Sequence, residues 1–132
     1  MDEKKLAEKA IEMMKFSYAP YSHFHVGAAL LAKNGKLYTG CNVENAAYGP
    51  SNCAERTAVF KAVSEGDREF EAIAIAGGLN GIPDGFCSPC GVCRQVLAEF
   101  CGKEFKVIMV NAAGELKTMT LGELLPESFS LD

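Results

Sequence analysis

Two short stretches, Cys53-Ala54-Glu55 and Pro89-Cys90-Gly91-Val92-Cys93, constrain this 132-residue chain more than any others. Each lies where the surrounding pattern predicts a helix start. Asn52 is an expected cap for a helix from about Cys53 to Glu65, with Gly66 as its stop. Ser88 is an expected cap for a second helix with Pro89 in its first position, ended by Gly102. Cys90 and Cys93 are three apart and fall on one helical face, so a single helix offers two thiols. A fold that brings the two helix N-termini together adds Cys53 as a third. Helix N-termini also favour thiolate over thiol, because their unpaired N–H groups carry partial positive charge.

Three thiolates in this arrangement suit one zinc ion per chain, since a thiolate-rich tetrahedral site selects zinc. Three protein ligands leave the fourth position open, which separates a catalytic zinc site from a closed structural one. The set carries a formal charge of −1, and Arg56, next to Glu55, is the first candidate to compensate it; Arg94 is the second. Glu55 is two positions from Cys53 and so does not share its helical face. It is better placed beside the metal than on it, where a carboxylate does general acid/base work. The silent alternative is a carboxylate that merely favours a helix N-terminus. Cys41, Cys87 and Cys101 are expected as small buried hydrophobes, although Cys87 is near enough to Cys90 to compete as a ligand.

The rest of the chain reads as one domain over residues 1–132, with 48% hydrophobic and 23% charged residues. Asp2 is an expected cap for a first helix whose apolar stripe is Leu6, Ala10, Ile11, Met13, Met14 and Phe16. A buried strand follows from His25 to Lys33, turned by Asn34-Gly35 into a partner strand from Lys36 to Cys41. That hairpin delivers a polar loop, Asn42-Val43-Glu44-Asn45. A short strand is expected at Glu71–Ala76, a Gly-rich loop from Gly77 to Phe86, strands at Phe105–Val110 and Glu115–Met119, and a last helix opened by a Thr120/Glu123 capping box. The order predicts an α/β three-layer sandwich: a mixed central sheet of about five strands with helices on both faces. A net charge of −4 without a basic cluster argues against a nucleic-acid partner. No signal peptide or membrane-length apolar run is visible, and the six cysteines read as reduced thiols, so the expected location is cytoplasmic.

The pairing of C-x-E with P-C-x-x-C is the zinc nucleobase deaminase signature in its cysteine form. Together with Phe24-His25-Val26-Gly27-Ala28-Ala29-Leu30, Asn42-Val43-Glu44-Asn45, Cys53-Ala54-Glu55-Arg56-Thr57-Ala58 and Pro89-Cys90-Gly91-Val92-Cys93-Arg94-Gln95, the chain resembles the short, three-cysteine cytidine deaminases over nearly its whole length. The resemblance implies that Cys53, Cys90 and Cys93 bind zinc and that Glu55 is the proton shuttle. It implies that Asn42 and Glu44, flanking Val43, hold the ribose through its 3′-hydroxyl while Phe24 packs on the nucleoside. The Ala54 N–H would meet the pyrimidine O2, the Ser88 carbonyl would accept from the amino group that leaves, and Arg56 would donate to the thiolates. Implied activity is hydrolytic deamination of cytidine and deoxycytidine to uridine and deoxyuridine plus ammonia, a pyrimidine salvage reaction. Short members of the family form homotetramers with shared active sites, and Tyr48 and Phe129 are the residues compatible with that role. One stretch departs from the family's pattern: the Gly77–Phe86 loop is somewhat longer than usual.

Two rival readings use the same cysteines. A structural zinc module would recruit Cys41 or Cys87 as a fourth ligand, but it leaves Glu55 and the Asn42–Asn45 loop unexplained. A deaminase of a cytosine-containing antibiotic such as blasticidin S would need different contacts from those that Phe24, Asn42 and Glu44 offer a ribose.

Overall fold

The computed structural model describes residues 2–131. In chain order it contains α1 (Glu3–Met13), a 3-10 turn (Met14–Phe16), β1 (Phe24–Ala32), β2 (Leu37–Cys41), α2 (Ala54–Ser64), β3 (Phe70–Leu79), α3 (Gly91–Phe100), β4 (Lys106–Val110), β5 (Leu116–Thr120) and α4 (Leu121–Leu124). The strands form one five-stranded sheet in the order β2-β1-β3-β4-β5. Only β3 and β4 run parallel; β1 is antiparallel to both its neighbours, and β5 to β4. The expected mixed sheet is therefore present, with helices on both faces.

Strand parity divides the core. Residues two apart on β1 face the same way, so Ala29 and Leu31 meet Leu6, Ala7, Ala10 and Met14 of the α1 side. Ala28 and Leu30 face the opposite layer, where they join Ala58, Val59, Leu97 and Leu121 from α2, α3 and α4. The local signals behave as their chemistry requires. Asp2 accepts from the Lys5 N–H at 2.8 Å, and the Asn34 side chain accepts from the Lys36 N–H at 2.9 Å inside the β1–β2 turn. Thr120 and Glu123 form their reciprocal capping box. Phe16 is the exception in the first stripe: it is exposed, because the tighter 3-10 turn rotates it off the buried face.

Most strand ends move by one residue from expectation, and three further differences shape the site. β3 runs on to Leu79, which pairs with Phe24, so the glycine pair Gly77-Gly78 belongs to the strand and the following loop is correspondingly shorter. A side chain at Gly78 would place its Cβ 1.8 Å from the Ile82 carbonyl oxygen; the glycine is there because the loop folds back over the strand. The caps of α2 and α3 are Cys53 and Cys90, not Asn52 and Ser88, and Pro89 precedes the cap. Asn52 instead donates to the Thr57 hydroxyl at 3.1 Å. Among the described residues no helix is long and apolar enough to cross a membrane.

Two glycines let helices press directly on the sheet. A Cβ at Gly27 would lie 2.0 Å from the Ala10 carbonyl oxygen of α1, and one at Gly40 would lie 2.4 Å from the Ala54 carbonyl oxygen and 2.7 Å from the Ala58 nitrogen of α2. The atoms in the way are backbone, so neither helix can yield by turning a side chain. Gly40 thus sets the height at which the first turn of α2, with Cys53 and Glu55, sits over β2. Gly40→Ala is expected to cost about 1–3 kcal/mol by overpacking, a fall in Tm of roughly 5–10 °C for a chain of this size. Thermal unfolding checks this, and an unchanged Tm would show that α2 is free to lift.

Candidate metal centre and its cavity

Cys53 and Cys90 occupy the N-cap positions of α2 and α3 with extended backbone (φ −78°, ψ 157° and φ −68°, ψ 168°), yet neither side chain makes a capping hydrogen bond. Their sulfurs are free to point elsewhere, and they point at each other: the two Sγ atoms are 3.7 Å apart. Cys93, buried in the first turn of α3, completes a group whose three sulfurs all lie within 4.8 Å of one another. Two sulfurs bound at about 2.3 Å to a tetrahedral zinc stand roughly 3.8 Å apart, so the donor set fits zinc in chemistry and in spacing. Among the described residues this is the one such group of three His, Cys, Asp or Glu ligands. Cys41, Cys87 and Cys101 lie outside it, and burial pushes the Cys87 and Cys101 thiols up to about 12. A four-sulfur structural site therefore finds no fourth member here.

The cluster is electrostatically organised around Cys53. Its thiol falls to about 5, chiefly through a bond from Cys93 that outweighs burial, with further help from Arg56 and Cys90. Cys93 moves the opposite way, because it donates to Cys53 and is buried. The Arg56 Nη2 donates to the Cys53 sulfur at 3.2 Å, and that bond, with Cys93 adding to it against burial, raises the guanidinium above its ordinary range. Arg94 is occupied otherwise: its Nε donates to the Pro89 carbonyl at 2.7 Å and its Nη1 to the Leu124 carbonyl at 2.6 Å, bracing α4 against the start of α3. Of the two arginines, Arg56 is the one beside the thiols. Glu55 is 4% exposed. Burial first, and the negative Cys53 next among the raising causes, push its carboxyl up to about 7, so it both holds and releases a proton near neutral pH.

A cavity of about 460 Å³ opens beside the sulfurs. Its wall includes Cys53, Ala54, Glu55, Arg56, Ser88 and Cys90, together with Asn42, Glu44 and Tyr48. Most of the residues singled out from the sequence are thus brought to one place. Phe24, Val43, Cys93 and Phe129 are not in that wall; Cys93 lies buried behind it. Phe24 is 36% exposed and packs towards the bare face of Gly77. Val43 works through its backbone, exchanging hydrogen bonds with Asn52 at 2.9 Å in each direction. Phe129 is 67% exposed, and its carbonyl accepts from Gln95 at 3.2 Å.

The polar loop is wired to the segment that precedes β1. The Asn42 Oδ1 accepts from the Val26 N–H at 2.9 Å and from the Ser17 hydroxyl at 2.5 Å, while its Nδ2 donates to the Phe24 carbonyl at 2.9 Å. Glu44 accepts from the N–H groups of Tyr21 and Ser22, and the Ser22 hydroxyl donates to its other oxygen. Those bonds, the hydroxyl first, hold the Glu44 carboxyl below its ordinary range against its partial desolvation. Ser17 and Ser22 were not singled out from the sequence, and no local signal marks them, because their partners lie across a turn and a whole hairpin. Val26, also in the cavity wall, was not singled out either; it shares a strand face with Phe24, which stays outside that wall.

Comparison with known proteins agrees with this geometry. The model of the cytidine and deoxycytidylate deaminase zinc-binding region matches residues 1–109. A cytidine deaminase of Sporosarcina psychrophila is 49% identical over 130 residues, covering 98% of this chain and 93% of that one. The crystal structure of a cytidine deaminase from Burkholderia pseudomallei superposes with a TM-score of 0.90 at 46% identity, covering 98% of this chain and 100% of that one. A blasticidin-S deaminase of Bacillus cereus is 32% identical, covering 95% of this chain and 90% of its own length. With a matching family model over most of its length and a relative nearly half identical from end to end, the chain belongs to the cytidine and deoxycytidylate deaminase family.

Proposed function

We propose that this protein, with residues 1–132 as one domain, is a zinc-dependent cytidine deaminase that hydrolyses cytidine and deoxycytidine to uridine and deoxyuridine with release of ammonia. The observation that carries the reading is a buried Glu55 in one cavity with Cys53, Cys90, Asn42 and Glu44, where the sulfurs of Cys53 and Cys90 converge with that of Cys93. The antibiotic-deaminase reading has a 32% identical relative against the 49% identical cytidine deaminase.

Cys53, Cys90 and Cys93 would hold zinc, which when bound supplies an acidified water as nucleophile near neutral pH. Glu55 would accept a proton from the attacking water and deliver it to the pyrimidine N3 as the C4–O bond forms, then carry the second proton, from the new C4 hydroxyl, to the amino nitrogen as the C4–N bond breaks, so that cytidine and water become uridine and ammonia. Its burial suits the task, because a carboxyl poised near 7 is neither too strong nor too weak a base for both transfers. The first N–H groups of α2 have no intrahelical partner and Cys53 does not cap them, which leaves the Ala54 N–H to meet the pyrimidine O2. The Ser88 carbonyl accepts from the amino group that leaves. Arg56 offsets the negative charge of the thiolates. Asn42 and Glu44 take the 3′ side of the ribose and Phe24 packs on the nucleoside from the start of β1; recognition from that side accommodates deoxycytidine as well as cytidine.

A homotetramer with shared sites accounts for the apolar side chains left outside. Phe60 and Val92 are exposed on neighbouring faces of α2 and α3, in a groove with Val96 and Phe100, while Tyr48 at 73% exposure and Phe129 stand ready to reach a neighbour's cavity. Six free cysteines and a nucleoside substrate suit a cytoplasmic pyrimidine salvage enzyme.

Purified protein mixed with cytidine should form uridine and ammonia in equal amounts, and Glu55→Gln should lower kcat by roughly 10²–10⁴-fold while retaining zinc. Full turnover by the zinc-loaded variant would defeat the mechanism. A strong chelator should remove both metal and activity, zinc should restore them, and Cys93→Ala should bind less than one zinc per chain by elemental analysis; a metal-free protein that still turns over would overturn the cofactor assignment. Light scattering should give four times the chain mass, and a monomer would discard the shared-site roles of Tyr48 and Phe129.

A further inference from the structure

The Tyr21–Phe24 turn converges on one carboxylate. The Glu44 Oε1 accepts the Tyr21 N–H at 3.0 Å and the Ser22 N–H at 3.1 Å, and the Ser22 hydroxyl donates to Oε2. The same hydroxyl oxygen accepts the Phe24 N–H at 3.0 Å. His23, between them, adopts the left-handed conformation at φ 59°, which a non-glycine residue takes up only under constraint. Its backbone is held at both ends, the N–H by the Ala19 carbonyl at 3.0 Å and the carbonyl by the Asn80 N–H at 2.8 Å.

This turn does something that packing does not require. A glutamate at the surface has three rotatable bonds, yet both oxygens of Glu44 are fixed from one side. An ionised carboxylate has about four acceptor positions, so three protein donors leave one, on a carboxylate that lines the cavity. Ser22 also ties that carboxylate to Phe24 through a continuous chain, Phe24 N–H to Ser22 Oγ and Ser22 O–H to Glu44. One hydroxyl therefore sets the spacing between two residues read above as nucleoside contacts.

We propose that Ser22 is a positioning residue for nucleoside recognition: through Glu44 it directs the one remaining acceptor position of that carboxylate at the sugar hydroxyl. The inference rests on the reading of Glu44 as the acceptor for the ribose 3′-hydroxyl. Loss of the hydroxyl leaves Glu44 held through Oε1 alone and its Oε2 no longer fixed, so binding weakens while the proton transfers at Glu55 continue.

The test compares Ser22→Thr with Ser22→Val, which match in volume and differ in the hydroxyl, on the zinc-loaded protein. Ser22→Val should raise KM for cytidine and Kd for the product uridine by about tenfold, the scale of a hydrogen bond to a charged group, with kcat within twofold. Ser22→Thr should behave as the unaltered protein. With 3′-deoxycytidine, which lacks the hydroxyl in question, Ser22→Val should cost less than twofold. Ser22→Ala serves as the hydroxyl-free variant if Ser22→Val does not fold. Equal KM for the Thr and Val variants, or an equal penalty on both substrates, would overturn the role of Ser22 while leaving Glu44 in place. Glu44→Gln with unchanged KM would instead remove the ribose reading itself.

Discussion

The meeting of two positively polarised helix ends is the constraint on which the rest of this structure depends. α2 and α3 start side by side on the same face of the sheet, and partial positive charges brought together repel. Anionic sulfur between them reverses the sign of that interaction. The lowered thiol of Cys53, the converging sulfurs of Cys90 and Cys93 and the guanidinium of Arg56 are parts of one charge balance, not separate decorations of a site. The sheet supplies the geometry: β1 and β3 carry the layer against which both helices pack, and Gly40 lets α2 come down far enough to bring its first turn into register with that of α3.

The two faces of the sheet divide their labour accordingly. Beneath α1 the core is aliphatic, with Leu, Ala and Met packed on Ala and Ile, and nothing in it titrates. Across the sheet, a carboxyl is buried beside the thiols and Arg56. Such burial ordinarily destabilises a protein unless the charge is paired or surrendered. Glu55 resolves the conflict by moving its pKa to about 7, so the same desolvation that costs folding energy brings its titration close to neutral pH.

Much of this was legible in the sequence because the decisive signals are local. Asn34-Gly35 can make few structures other than a tight hairpin, the Thr120/Glu123 box satisfies itself within one turn, and cysteines three apart at a helix start must share a face. Misreadings arose where a residue type carries one local meaning and a different tertiary one. Gly77 and Gly78 look like loop, but they pair with Val26 and His25 of β1 and are glycine because Phe24, Cys87 and the Ile82 backbone occupy the space their side chains would fill. Asn52 and Ser88 have the chemistry of caps, and yet the caps are the cysteines that follow, which are poor at capping and present for another reason. Ser22 had no signal at all: its partner is determined by how the hairpin returns, a contact that only the assembled fold defines.

Those cysteine caps carry a consequence for how sequence change at the site is filtered. At Cys53 and Cys90 an aspartate, serine or asparagine would satisfy the bare N–H groups of the helix start and improve helix stability by about 1 kcal/mol. The most stabilising local substitutions are therefore the ones that dismantle the metal site. Helix stability alone favours other residues at both positions, so the cysteines answer to what the three sulfurs do together. A stability-guided redesign of this scaffold that treated the two helices independently would arrive at a better-folded protein with nothing left to hold a metal.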